Sequence, residues 1–144
     1  MPQTQKIRIL IADDFKLLRD VIRLYLGHAN DMDVIGEALE LHDAVERALV
    51  LQPDVILMND YLPPVDSAIA TSIFREQGIS AAILCISMEV DVDLIKRALG
   101  NGVQGFMEKD EIPDFLVKAV RSVYLGERFL SPKVQEVYDV GWDD

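Results

Sequence analysis

Five short, nearly continuous apolar runs, each ending at polar residues and each followed by a stretch with helical spacing, set the narrowest limit on how this chain folds. They are residues 6–12 (KIRILIA), 33–38 (DVIGEA), 55–58 (VILM), 81–86 (AAILCI) and 104–107 (QGFM). Apolar runs that do not alternate belong to strands buried on both faces. Strand-then-helix repetition requires right-handed crossovers, which cover a parallel sheet with helices. The intervening helical patterns agree. Leu18, Val21, Ile22 and Tyr25 share a face before Gly27, and Leu41, Val45, Ala48 and Leu49 share one before Pro53. Residues 67–77 close at Gly78, residues 91–99 precede Gly100 and Gly102, and Ile112, Phe115, Leu116, Ala119, Val120 and Val123 line a fifth helix before Gly126. The reading is α/β: a three-layer doubly wound (βα)5 sandwich.

Length and composition narrow the function classes. The 144 residues suit one domain, and half of them are apolar, enough for a core. A net charge of -11 argues against a face of this domain that grips nucleic acid, because neutralising phosphates drives that binding. The single cysteine, Cys85, excludes a disulfide framework and fits a reducing compartment. No run approaches the roughly 18 apolar residues of a membrane span, and the N-terminus lacks the apolar stretch of a signal peptide, so the expected location is cytoplasmic. Residues 129–144 fall outside the repeating pattern. Ser131-Pro132 is a helix start, but the helix it opens has no expected partner, and residues 142–144 read as a disordered end. The division is therefore 1–128 as the domain and 129–144 as the start of a linker.

In an open parallel sheet the ligand site lies at the carboxyl ends of the strands. Those ends bring Asp13-Asp14, Asn59-Asp60, Ser87 and Lys109 to one rim: acids, an amide, a hydroxyl and an amine. With IRILIADD, PDVILMNDYLPPVD, AAILCIS, GFMEKD and GERFLSP in this order, the chain resembles the response-regulator receiver family of two-component systems, NarL/LuxR-type, over residues 6–128. That resemblance implies a flavodoxin/CheY-like sheet of five parallel strands in the order 2-1-3-4-5. It implies that Asp13 and Asp14 hold a magnesium ion, that the residue ending the third strand accepts a phosphoryl group, and that Lys109 offsets its charge. Ser87 and Phe106 would be the switch pair, and Pro63 would mark the loop after the acceptor.

At the acceptor position this chain has Asn59, an amide that forms no acyl phosphate and takes one carboxylate from the metal site, so magnesium affinity is expected to be weak. Pro64 and Ser67 stand where glycines are common in the family. Strand alternation predicts that Asp60 points away from the rim. Plainer roles compete: Asp14 as a helix cap, Lys109 paired with Asp13 or Asp14, Phe106 as packing, and His28 and His42 as surface residues. The resulting expectation is a signalling module, not an enzyme, that controls transcription without phosphorylation at Asn59. Its partners would be a sensor histidine kinase or other regulatory protein and a second copy of itself, with no membrane. DNA would be reached only through a helix-turn-helix domain after the GERFLSP junction. An ordinary phospho-receiver with an introduced Asp-to-Asn change at 59 is the alternative. A flavodoxin-like flavin carrier is disfavoured, because Ala12-Asp13-Asp14-Phe15 repels phosphate.

Overall fold

The computed structural model describes residues 5–141, so the expectations for the first four residues and for residues 142–144 lie outside the described residues. The chain runs β1 (Ile7–Ala12), α1 (Lys16–Leu26), β2 (Met32–Ala38), α2 (Leu41–Leu51), β3 (Val55–Asn59), then a small hairpin of β4 (Tyr61–Leu62) and β5 (Val65–Asp66). It continues through α3 (Ser67–Glu76), β6 (Ala82–Ser87), α4 (Val92–Gly100), β7 (Gly105–Glu108), a 3-10 turn (Lys109–Glu111), α5 (Ile112–Tyr124), β8 (Phe129–Leu130) and α6 (Pro132–Val140). The main sheet has the order β2-β1-β3-β6-β7-β8, and every pairing in it is parallel. Its first five positions are the expected 2-1-3-4-5. The count of five is corrected to six, because Phe129 and Leu130 pair with Gly105 and Phe106 on the outer edge of β7.

Period-two alternation divides the apolar strands between two cores. Ile9, Ile11, Leu57, Leu84 and Met107 face the layer of α1 and α5, where Leu18, Ile22, Leu116 and Val120 pack. Leu10, Ala12, Ile56, Met58, Ile83, Cys85 and Phe106 face the layer of α2, α3 and α4. Within α2 it is Ala44 and Ala48 that are buried, while the expected face residue Leu49 is exposed. Small side chains there let the helix sit close to the sheet. At Gly105 the space is closed: an added Cβ would lie 2.7 Å from Leu84 Cδ1 and 2.7 Å from Val123 Cγ1.

The helix expected to lack a partner has one. Val134 of α6 is fully buried in the same core as Phe106, Ile95 and Ala98, and Lys96 Nζ of α4 donates to the Gly141 carbonyl at 3.2 Å. Its start is held by Glu111, whose carboxylate accepts the Ser131 hydroxyl at 2.5 Å and the Lys133 N–H at 3.2 Å. The docking rests on a buried acid and on Val134, with Val137 and Tyr138 of the same helix partly buried against that core, an apolar face too short to stand out in the sequence. Among the described residues no helix is long and apolar enough to cross a membrane.

Candidate functional site

Asp13 follows directly from β1 and is only 2% exposed. Its Oδ1 accepts the Phe15 N–H at 2.8 Å and so shapes the turn into α1. The cap position itself is Phe15, which makes no side-chain cap bond, and Asp14 is exposed, so the expected capping by Asp14 is not seen. Burial pushes the Asp13 carboxyl up to about 6, and the nearby carboxylates of Asp14 and Asp60 push the same way. The Phe15 N–H and the Arg19 guanidinium oppose the shift. Arg19 also donates to the Asp13 carbonyl at 2.9 Å and to Glu37 Oε1 at 2.6 Å.

Asn59 is the last paired residue of β3, opposite Ile86 of β6. Its side-chain oxygen accepts the backbone N–H of Asp60 at 2.8 Å. Beyond it the chain leaves the ladder. Asp60 lies in a bend, its carbonyl accepts the Ser67 N–H at 2.8 Å, and its Oδ2 accepts the Ser87 hydroxyl at 2.8 Å. The expectation that Asp60 points away is therefore overturned. Alternation governs residues inside a strand, and Asp60 is the first residue outside one.

Ser87, fully buried at the end of β6, has one hydroxyl proton and two acceptors in reach, Asp60 Oδ2 and the Glu89 carbonyl; its oxygen accepts the Glu89 N–H at 3.3 Å. Phe106 is also fully buried, in the core shared with α4 and α6. Lys109 opens the 3-10 turn and forms no ion pair among the described residues, so its expected pairing with Asp13 or Asp14 is absent. It lines an apolar groove with Phe15, Leu17 and Leu24. Pro63 holds the hairpin against α2 through its carbonyl, which accepts the Leu41 N–H at 2.9 Å. Asp66 caps α3 by accepting the Ile69 N–H at 3.0 Å and pairs with Arg97 at 2.8 Å. His28 is exposed and His42 pairs with Glu46 on the surface of α2, both away from the rim.

The donor set does not fit a dedicated magnesium site. The third-strand donor is an amide whose oxygen is turned to the Asp60 N–H. Among the described residues no three Asp, Glu, His or Cys side chains converge as a metal cluster. Nor can an amide attack phosphorus to leave a stable acyl phosphate.

A parallel doubly wound sheet with acids, a buried serine and a lysine at its carboxyl rim defines a class of signalling domain, and the chain belongs to it: residues 9–121 match the response regulator receiver domain. Within that family it is homologous to regulators of the NarL/LuxR type. It is 33% identical over 129 residues to the oxygen regulatory protein NreC of Staphylococcus carnosus, covering 89% of this chain and 59% of that protein. The chain thus spans little more than half the length of these relatives. The signal receiver domain of NarL from Mycobacterium tuberculosis superposes with a TM-score of 0.81 at 29% identity, covering 85% of this chain and 99% of that one. The fold is shared more completely with a LuxR-family two-component response regulator from Aurantimonas sp., with a TM-score of 0.91 at 24% identity over 97% of this chain and 100% of that one.

Two participants escape sequence reasoning. Strand alternation turns Asp60 to the wrong side; the signal that places it is the end of the apolar run at Met58, after which only Asn59 stays in the ladder. Glu111 belongs to no motif, and its only hint is its place just before the Ile112-Pro113 start of α5.

Proposed function

We propose that this receiver works as a binding and signalling module whose state is not set by phosphorylation at residue 59. The observation that carries the reading is Asn59 itself, at the end of the central strand, with its amide oxygen committed to the Asp60 N–H at 2.8 Å. The neutral side chain removes the nucleophile and one metal ligand together. Asp13 and Asp14 remain as weak magnesium ligands, Ser87 and Phe106 as the switch pair, Lys109 as the cation of the rim, and Pro63 as the anchor of the loop. Control then comes from protein contacts: a sensor histidine kinase or another regulatory protein, and pairing of two copies, in the cytoplasm. Residues 129–144 lead toward a helix-turn-helix output domain in a longer polypeptide, which would make the DNA contacts this acidic domain does not.

The test is intact mass after incubation with acetyl phosphate and magnesium. The wild-type mass should stay unchanged, and Asn59→Asp should take up one phosphoryl group. A phosphoryl group on the wild-type chain, at Asp60 or elsewhere, would reject the reading.

A further inference from the structure

We infer that Asp60 supplies, as a permanent side-chain oxygen, the acceptor that Ser87 would otherwise find on a phosphoryl group, and so holds the β6–α4 connection and Phe106 in the switched arrangement without covalent modification. This rests on the preceding reading that Ser87 and Phe106 form the switch pair. Ser87 is fully buried, and Asp60 Oδ2 lies 2.8 Å from its hydroxyl oxygen, in reach of the one proton that the Glu89 carbonyl also faces. A carboxylate oxygen resembles a phosphoryl oxygen in what matters to a hydroxyl: it is anionic, and such bonds are roughly twice as strong as neutral ones. The acceptor also comes from the right place. β3 and β6 are neighbours, with Asn59 opposite Ile86, and Asp60 reaches Ser87 from the residue next to the acceptor position.

Asn59 makes the arrangement possible. Its oxygen accepts the Asp60 N–H and fixes the backbone that aims the carboxylate. An aspartate at 59 would instead set a second negative charge beside Asp60, next to an already crowded Asp13. The effect passes onward through named contacts. Ser87 accepts the Glu89 N–H at the turn leading to α4. Cys85, two residues before it, is paired with Phe106, whose ring is fully buried in the core that α6 closes with Val134.

The experiment is hydrogen–deuterium exchange on the full chain, following the segment 85–95 in wild type, Asp60→Ala, Asp60→Asn, Ser87→Ala and the Asp60→Ala/Ser87→Ala double variant. Loss of one charge-assisted bond should speed exchange there about tenfold in Asp60→Ala. Ser87→Ala should match it, and the double variant should exchange no faster than either single variant, because both remove one interaction. Asp60→Asn, a neutral acceptor of the same shape, should fall between. Unchanged exchange in Asp60→Ala overturns the inference, as do additive effects in the double variant. Uniformly faster exchange across the whole sheet in both Asp60 variants overturns it too. Phosphoryl uptake by the wild-type chain would reject the earlier reading while leaving the exchange result intact. Additive exchange would reject the latch while leaving the mass result intact.

Discussion

Asp13 shows how one residue couples this rim to pH. Its carboxyl titrates near 6 in the folded chain, against 3.8 for an ordinary aspartate. The folded state therefore holds that proton more tightly than the unfolded state. Between about pH 4 and pH 6 the folded chain binds more protons, so stability falls as pH rises through that window and is flat on either side. The full difference is on the order of 3 kcal/mol, at about 1.4 kcal/mol per pH unit. Asp13→Asn removes the charge and keeps an oxygen for the Phe15 N–H. Urea midpoints in metal-free buffer should place it about 1–3 kcal/mol above wild type near neutral pH, with the gap closing below about pH 4. A constant gap across pH would show that Asp13 is not the titrating group. Magnesium followed by amide chemical shifts should move signals beside Asp13 and Asp14 only at high metal, since two carboxylates make a poor cage for an ion that keeps its waters. Saturation at low metal would contradict the donor set seen here.

At the scale of elements, α6 is the least expected part of the molecule and the easiest to test. Glu111→Ala would leave the Ser131 hydroxyl and the Lys133 N–H without their acceptor. Each unsatisfied buried group costs about 1–3 kcal/mol. Glu111→Ala should therefore lower the unfolding midpoint by about that amount and expose residues 129–140 to exchange, while Glu111→Gln should keep most of the protection. Gly105→Ala should cost about 1–3 kcal/mol by overpacking, because Leu84 and Val123 already close the space around that Cα. The five principal strands were legible because each needs only a short apolar run, their order was implied only by the family resemblance, and β1 ends at Ala12 as read. The β4–β5 hairpin was not legible, since strands of two residues carry no periodicity. Neither was β8, for the same reason, nor the seat of α6, whose apolar face of Val134, Val137 and Tyr138 is short and whose start is held by one buried carboxylate. That Asp13, Asn59 and Ser87 stand at the ends of their strands was legible from the ends of the apolar runs. The rim's internal bonding was not, because Asn59 and Asp60 straddle the point where the ladder gives out.

For the whole molecule, the two cores on either side of the sheet are unequal in how they are closed. α1 and α5 seal one, whereas the other depends on α2, α3, α4 and the C-terminal helix. A chain ended after Arg128 loses both β7–β8 pairings and the burial of Val134. Burying one such side chain stabilises by about 2 kcal/mol. The shortened chain should unfold at a lower urea midpoint by at least that amount, with fluorescent-dye binding reporting newly exposed apolar surface near Phe106. An unchanged midpoint would mean that the segment contributes nothing to the core.

The bond between Asp60 and Ser87 also bears on time. An acyl phosphate hydrolyses, and that decay gives a signal its own clock. A side-chain carboxylate has no such expiry. If the latch sets the state of this domain, the message lasts as long as the polypeptide does, and synthesis, degradation or a partner that pulls the serine away becomes the means of ending it.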